Sequence, residues 1–297
     1  MIAEQYVGNT PLVEIQHLTK PGTARVFVKL EEYNFGGSIK SRVALQMIQD
    51  AESAGVLHPG SRIIEATGGN TGIGLAIIGS LHKYQVTLVI PDNFSQVKIK
   101  TCKALGAEVI LSDSTLGSAS HIHKTSEILL SNPDYVNLNQ FVNSSNARSH
   151  YLYTGVEILN SLERVDVFVA AAGSGGTLSG IGRCLKEKMS RRTKIIAVQP
   201  WGCDVLNGKI IPHIVEGTTL GFVPQSFETS IVDGVEEVNR EEVLELFRTL
   251  PRLEGLFVGL SSAANICAAV KIASKLPRSC IVATVAPDGG RNYPDYI

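Results

Sequence analysis

The sequence predicts an α/β fold with two lobes, each a mostly parallel twisted sheet flanked by helices. Three observations lead to this prediction. Short apolar runs rich in Val and Ile alternate with stretches of helical periodicity along the 297 residues. The apolar runs are continuous, as in strands that helices cover on both faces. Glycine-rich turns follow three of these runs, and open α/β sheets bind their ligands at such strand ends.

In the first half of the chain, predicted strands and helices alternate. Residues 25–31 are predicted to form the first strand. Apolar residues at helical spacing predict a helix over 38–55, which Gly55 can end. Further strands are predicted in RIIEA, VTLVIP and EVILS, and further helices in TGIGLAIIGSLHKY, SQVKIKTCKALG and residues 118–131. The segment YVNLNQF closes this first set of elements.

A polar stretch at 141–146, FVNSSN, separates this set from a second one. The second set contains predicted strands in VDVFVAAAG, KIIAVQP, VEEVN and CIVATVAP, and predicted helices over 147–162, 176–189, 240–250 and 261–275. Residues 201–233 contain Gly, Pro and Thr with little periodicity, which indicates a loop region. The chain is therefore predicted to divide into two lobes near the polar stretch.

Composition and charge exclude several classes of protein. Hydrophobic residues make up 44% and charged residues 19% of the chain, which allows a sizeable core. The net charge is −1, whereas a nucleic-acid or membrane-surface partner would require a basic excess. The N-terminus has no signal-peptide pattern, and no apolar run reaches the roughly 18 residues of a membrane span. A cytoplasmic protein is therefore expected.

The cysteines and histidines predict neither disulfides nor a metal site. The five cysteines are odd in number and show no CxxC spacing, so we expect reduced, mostly buried thiols. His121 and His123 form an HxH pair, but no third ligand lies near them in the sequence.

The three glycine-rich turns lie in EATGGNTG, AAGSGGTLSG and APDGGRNY. Backbone N–H groups at a helix N-terminus bind anions, and glycine lets a ligand approach closely. A dinucleotide is disfavoured because Leu178 occupies the third glycine position of GxGxxG, and no turn contains the GK[ST] of a P-loop. GSGGT at 173–177, with the hydroxyls of Ser174 and Thr177, instead suits a single phosphate group.

Lys40 lies in NFGGSIKSR, at the start of a predicted helix. It could be a surface lysine, a phosphate ligand or the attachment point of a covalent cofactor. A phosphate-binding loop and a lysine amine together suggest pyridoxal phosphate, which forms a Schiff base with lysine and acts as an electron sink. The alternative is that all three turns are ordinary connections, and the combination of three turns with a glycine-preceded lysine argues against it.

Seven segments occur in the order and spacing of the cysteine synthase / cystathionine β-synthase family, which the sequence therefore resembles. They are GNTPLV, NFGGSIKSR, EATGGNTGIGLA, QF at 140–141, GSGGT, EGLFVGLSSAA and PDGG. The resemblance covers residues 8–293 and implies a fold-type II pyridoxal-phosphate enzyme, similar in fold to the tryptophan synthase β subunit.

The resemblance implies a role for individual residues. Lys40 would form the Schiff base and move the substrate α-proton. Asn70 would hydrogen-bond the ring hydroxyl of the cofactor, and Ser261 would face its pyridine nitrogen. The phosphate would be bound by Gly173, Ser174, Gly175, Gly176 and Thr177. The substrate α-carboxylate would be gripped by Thr67, Gly68, Gly69, Thr71 and Gln140.

The resemblance also implies an activity. It is β-replacement on an O-activated serine (O-acetylserine, O-phosphoserine or serine) through an α-aminoacrylate, giving cysteine or another β-substituted alanine. A homodimer is implied, with a smaller, mobile, substrate-gripping lobe over 35–143 and a larger lobe, 1–34 and 144–297, that binds the cofactor phosphate. Two alternatives stay open. One is a β-eliminating lyase of the dehydratase or desulfhydrase type, and the other is a non-catalytic pyridoxal-phosphate-bound partner protein.

Several positions depart from the family pattern. Phe35 stands in place of Pro, Ser41 of Asp, Gly68 of Ser or Ala, Thr219 of a loop Gly and Ala263 of Gly. The C-terminal PDGGRNYPDYI also differs from the usual pattern. These departures cluster around the substrate positions, whereas the cofactor positions are intact. They predict a non-standard substrate pair, with neutral drift as the alternative.

Overall fold

The computed structural model describes residues 3–67, 69–117 and 119–297, and its strands form two sheets. The six-stranded sheet has the order β1-β2-β10-β7-β8-β9 and the four-stranded sheet the order β5-β4-β3-β6. The strands are β1 Leu12–Glu14, β2 Arg25–Leu30, β3 Arg62–Ala66, β4 Gln85–Pro91, β5 Glu108–Ser112, β6 Tyr135–Asn137, β7 Val167–Ala171, β8 Lys194–Pro200, β9 Gly234–Val238 and β10 Ile281–Ala286.

Helices connect these strands and cover the sheets. They are α1 Lys40–Ser53, α2 Asn70–Leu81, α3 Gln96–Ala104, α4 Ser120–Ser131, α5 Ser144–Ser149, α6 Gly155–Ser161, α7 Gly176–Lys188, α8 Arg240–Leu253 and α9 Leu260–Ala273. A π-helical turn, His150–Thr154, joins α5 to α6. The predicted α/β fold with two mostly parallel sheets is confirmed.

The strand sequences explain why both faces of the larger sheet are buried. β10 lies between β2 and β7, and all six of its residues are buried. Val282 packs into the hydrophobic cluster that contains residues of α8 and α9, whereas Ala283 packs into the cluster with α6 and α7. Since successive residues of a strand point to opposite faces, a strand between two helical layers must be continuously apolar.

Two elements differ from the sequence-based prediction. β1 was not predicted, because a strand of three residues carries too little periodicity, and it pairs antiparallel with β2. The helix predicted over 147–162 begins earlier, at Ser144, because the side chain of Asn143 accepts a hydrogen bond from the Ser145 N–H and caps it.

Candidate functional site

A cavity of about 640 Å³ lies where strand ends and helix starts of both sheets meet. Its lining includes the residues that follow β3, β4, β7 and β10, and the first turns of α1, α2, α7 and α9. Parallel strands bring their carboxyl ends to one edge of a sheet, which explains why these segments converge. N–H groups in the first turn of a helix have no acceptor within that helix, so the cavity is suited to an anionic ligand.

Lys40 begins α1, and its half-buried side chain reaches the loop after β7. Its Nζ donates a hydrogen bond to Ser174 Oγ at 3.3 Å. Burial lowers the pKa of Lys40 from its ordinary 10.5 to about 8, because desolvation disfavours the charged amine. Near pH 8 a large share of the amine is therefore neutral and able to act as a nucleophile or a base.

In the cofactor-free protein we expect the Lys40 amine to react with acetic anhydride with a pH midpoint of about 8, because only the neutral amine reacts. In the unfolded chain the burial is lost, and the midpoint should return to about 10.5. Labelling across a pH series in buffer and in urea, read by peptide mass spectrometry, measures both midpoints. Equal midpoints in the two states would contradict an effect of burial on this lysine.

The glycines of the loop after β7 are required by close packing. A Cβ on Gly173 would lie 1.9 Å from the carbonyl oxygen of Gly217, and one on Gly175 would lie 2.1 Å from Cβ of Phe227. Gly175 also has a left-handed φ of 82°, which glycine adopts without strain. The loop is therefore held in one narrow turn against the 217–227 segment.

This turn offers hydrogen-bond donors to the cavity. α7 begins directly after it, at Gly176, so the N–H groups of Gly176 and Thr177 have no acceptor within the helix. Ser174 Oγ accepts a hydrogen bond from Asn146 Nδ2 at 2.8 Å, which fixes its position beside Lys40. A loop of this kind can bind a phosphate through backbone N–H groups and hydroxyls.

The first turn of α2 is tied to the segment after β6. Thr71 Oγ1 donates to Gln140 Oε1 at 2.7 Å. The buried carboxyl group of Glu65, on β3, accepts hydrogen bonds from the N–H groups of Asn139 and Gln140 at 2.8 and 2.9 Å. Glu65 thereby holds Gln140 beside the helix start, and sequence reasoning did not identify it.

Glu65 should make the stability of the fold depend on pH. Burial raises its pKa from 4.5 to about 7, although the two N–H bonds oppose the shift. Because the folded state holds this proton more tightly than the unfolded state, the stabilisation is complete below pH 4.5 and is lost as the pH rises through 7. The free energy of unfolding of the wild type should fall by roughly 3 kcal/mol relative to Glu65→Gln over that range.

Urea unfolding of both proteins at a series of pH values measures this difference. The substitution also places an amide nitrogen against an N–H donor, which adds an offset that does not change with pH. A difference that stays constant between pH 4.5 and 7 would show that Glu65 does not titrate in this range.

A buried ion cluster fixes the start of α1, and it was not predicted from the sequence. Arg42 donates to both oxygens of Glu31, at 2.7 and 2.9 Å, and of Glu157, at 2.6 and 2.8 Å. Lys29 Nζ lies 2.7 Å from Glu157 Oε2, and Thr10 Oγ1 donates to Glu31 at 2.7 Å. Arg42 lies two residues after Lys40, so these contacts join the start of α1 to α6, to β2 and to the residue that follows β2.

The structure brings nearly all the predicted site residues to this one cavity. Those that line it are Lys40, Thr67, Gly69, Asn70, Thr71, Gln140, Gly173, Ser174, Gly175, Thr177 and Ser261. Gly176 packs behind the lining, where a Cβ would lie 2.1 Å from Asn146 Oδ1. Gly68 lies outside the described residues. The roles that the resemblance implies for these residues stay predictions.

The structure shows the surroundings of two residues that depart from the family pattern, Ser41 and Thr219. Ser41 is buried and packs against Gly36. A Cβ added to Gly36 would lie 2.6 Å from Ser41 Oγ. Thr219 lines the cavity with a left-handed φ of 45°, a conformation that glycine adopts without strain and a β-branched residue rarely adopts. The main chain at 219 therefore keeps a shape suited to glycine while the side chain fills space beside the cavity.

The described part of the chain comprises residues 3–67, 69–117 and 119–297. In these ranges no group of three His, Cys, Asp or Glu side chains is arranged to hold a metal ion. No helix in the same ranges is both long and apolar enough for a membrane crossing. The five cysteines are free thiols, three of them buried.

Comparisons with known proteins agree with the geometry of the cavity. Residues 3–288 match a family described as pyridoxal-phosphate dependent enzymes. A cysteine synthase of Staphylococcus aureus is 38% identical over 292 residues, which are 97% of this chain and 94% of that protein. An O-acetylserine dependent cystathionine β-synthase from Helicobacter pylori has a TM-score of 0.93 at 35% identity, covering 99% of this chain and 98% of that one. A hydrogen sulfide-producing enzyme from Fusobacterium nucleatum has a TM-score of 0.93 at 36% identity, covering 98% and 99%.

Proposed function

We propose a function that follows from the family of the chain, which belongs to the pyridoxal-phosphate-dependent enzymes and to their cysteine synthase / cystathionine β-synthase branch. The proposed reaction replaces the β-substituent of an O-activated serine. The membership confirms the family resemblance and the predicted dependence on pyridoxal phosphate. The observation that carries the proposal is the Lys40 amine, with its lowered pKa, 3.3 Å from the hydroxyl of Ser174 in the anion-binding turn.

The residues of the cavity fit this cofactor. The donor-rich turn at 173–177 would hold its phosphate, and Lys40 Nζ would hold it covalently. Asn70 would contact its ring oxygen, and Ser261 would face its ring nitrogen. When bound, pyridoxal phosphate supplies an electron sink for bonds that break at the α-carbon of an amino acid.

The protein groups then have separate tasks in the reaction. The first turn of α2, with Thr71 and Gln140, would bind the substrate α-carboxylate through N–H donors and orient the α-carbon. Lys40 would take the proton from that carbon and return it after the new bond has formed. Because the leaving group would depart before the nucleophile adds, ping-pong kinetics are expected.

The substrate pair can be identified by a steady-state assay of the purified holoprotein. O-acetylserine, O-phosphoserine and serine would each be combined with sulfide, homocysteine and amine nucleophiles. Formation of a β-substituted alanine that requires the nucleophile supports the proposal. Pyruvate release without a nucleophile would favour the eliminating lyase, which the similarity to a hydrogen sulfide-producing enzyme keeps as the second candidate. A protein that binds the cofactor and turns over no amino acid would be the non-catalytic partner.

The unusual substrate positions lead to a narrower proposal. Thr219 fills space at the cavity in place of the expected glycine, and Gly68 stands in place of a larger residue. We therefore propose a substrate pair other than O-acetylserine with sulfide. Fast turnover with that pair alone would refute this part and leave the general β-replacement intact.

The organisation of the protein extends the proposal. We propose that residues 35–143 form the smaller, mobile, substrate-gripping lobe, and that 1–34 and 144–297 form the lobe that binds the cofactor phosphate. The separate sheets support this division. We also propose a cytoplasmic homodimer, by analogy with the family. Sedimentation equilibrium measures the mass, and small-angle scattering with and without substrate measures closure.

A further inference from the structure

Asp288 lies behind the cavity, where its main chain connects two segments of the site. The Ile39 N–H donates to the Pro287 carbonyl at 2.8 Å, one residue before α1 begins. The Gly259 N–H and the Ser262 hydroxyl donate to the Asp288 carbonyl at 2.9 and 3.2 Å, at the start of α9. These contacts fix residue 288 between the segments that carry the cavity-lining lysine and serine.

The Asp288 side chain makes its contact toward the cavity through Asn70. Its Oδ2 accepts hydrogen bonds from Asn70 Nδ2 and from the Tyr293 hydroxyl, both at 2.8 Å. Asp288 is 1% exposed, whereas Asn70 lines the cavity. Oδ1 is buried close to Gly259, where a Cβ would lie 2.1 Å from it, and it has no hydrogen-bond partner among the described residues. The carboxyl group therefore has little freedom to rotate, and the Asn70 amide must orient to suit it.

This contact determines which end of the Asn70 amide faces the carboxyl group. An unconstrained asparagine can present either its oxygen or its nitrogen to a neighbour. Because Oδ2 of Asp288 is the acceptor in this contact, the amide nitrogen faces Asp288 and uses one of its two hydrogens there. Within residues 3–67, 69–117 and 119–297 the second hydrogen has no acceptor, so it is available for one in the cavity.

We propose that Asp288 is a positioning residue, which fixes the Asn70 amide as a hydrogen-bond donor to the ring oxygen of bound pyridoxal phosphate. The inference rests on the proposed function, because it requires the cofactor in this cavity. It assigns no contact between Asp288 and the cofactor itself. The aspartate acts through the asparagine, which is why its effect should depend on the asparagine being present.

The charges around Asp288 are compatible with this task. The pKa of Asp288 is raised, mainly by burial and also by the Glu216 charge, although the Lys98 charge and the hydrogen bonds from Asn70 and Tyr293 oppose the shift. Lys98 Nζ lies 3.4 Å from the Tyr293 hydroxyl and 3.0 Å from Glu216 Oε2. Asn70 and Tyr293 both donate to Oδ2, so Oδ2 is the hydrogen-bond acceptor toward both side chains.

A double-mutant cycle on cofactor binding tests the proposal. The dissociation constant of pyridoxal phosphate and the visible absorbance maximum would be measured for Asp288→Ala, Asn70→Ala, the double variant and the wild type. Asp288→Ala should weaken binding about tenfold and shift the absorbance maximum. In the Asn70→Ala background the same change should have less than about a twofold effect, because the group it positions is absent.

Three further variants complete the design. Asp288→Asn can keep an acceptor oxygen facing Asn70 and should restore most of the binding. Thr284→Val removes a buried hydrogen bond to the Val169 carbonyl elsewhere in the fold, and should leave the dissociation constant unchanged. If Asp288→Ala does not fold, Asp288→Ser, whose side chain is too short to reach Asn70, takes its place in the cycle.

The possible failures are distinguishable. An Asp288→Ala effect of equal size with and without the Asn70 side chain would overturn the inference, since it would show a general structural role. Wild-type binding that Asp288→Ala leaves unchanged would overturn it as well. A wild-type protein that does not bind pyridoxal phosphate would instead refute the proposed function.

Discussion

Replacing Lys40 by alanine should lower kcat by at least about a thousandfold and remove covalent attachment of the cofactor. The lysine is proposed to supply both the attaching amine and the proton-transfer group. Burial lowers its pKa to about 8, which leaves a large share of the amine neutral near that pH. Steady-state kinetics with the substrate pair found in the assay, together with the visible absorbance of the reconstituted protein, measure both effects. The cofactor phosphate should still bind, because the turn at 173–177 is unchanged.

The control for this prediction is Lys100→Ala, which removes an exposed lysine from α3 and should change kcat less than twofold. Small primary amines added to Lys40→Ala should restore part of the activity if the missing function is proton transfer. Undiminished turnover, or an unchanged cofactor absorbance after Lys40→Ala, would refute the assignment of this lysine.

Replacing Arg42 by methionine should destabilise the protein by about 3–5 kcal/mol. Arg42 and Glu31 have side chains that are 2% and 0% exposed, so the substitution leaves a carboxylate buried without its cation. Glu157 loses its main partner at the same time. Burial alone would raise the pKa of Glu157, but the hydrogen bonds and charge of Arg42, with smaller contributions from Lys29 and the Asn9 N–H, lower it to about 2. Urea unfolding at pH 7 measures the loss.

The same cluster predicts the response to acid. Because the folded state holds the Glu157 proton less tightly than the unfolded state, its stabilisation is present above pH 4.5 and is lost as the pH falls toward 2. Arg42→Met should remove most of this slope. The control is Arg148→Met, which breaks an exposed ion pair with Asp50 and should cost less than about 1 kcal/mol. Equal losses for the two variants would show that burial of the cluster does not matter.

Much of the fold could be predicted because it depends on local patterns. Continuous apolar runs such as those of β7 and β10 report burial on both faces, and helical periodicity located the helices with small errors at their ends. β1 was missed because its place is fixed by pairing with β2 and not by its own three residues. The early start of α5 depends on one capping asparagine, Asn143, which hydrophobic periodicity does not reveal.

The candidate site shows the same division. Lys40 and the turn at 173–177 could be predicted because glycines and hydroxyls after a strand, together with a glycine-preceded lysine at a helix start, form a recognisable sequence pattern. Glu65, Arg42 and Asp288 were missed because each is a charged residue whose partners lie far along the chain. Asp288 contacts Asn70 across 218 positions of sequence, for example. All three lie in segments that carry the family resemblance, but the local sequence does not show which partners they contact.

The sequence by itself determined the α/β architecture, the glycine-rich strand ends and the residue types that a pyridoxal-phosphate site requires. These follow from periodicity and backbone geometry, which act over a few residues. Only the tertiary structure decided that Lys40 lies beside Ser174, that its pKa is lowered, and that Asp288 faces the Asn70 amide. Burial and hydrogen bonding between distant segments set these properties, because desolvation and partner geometry arise only once the two sheets have packed together.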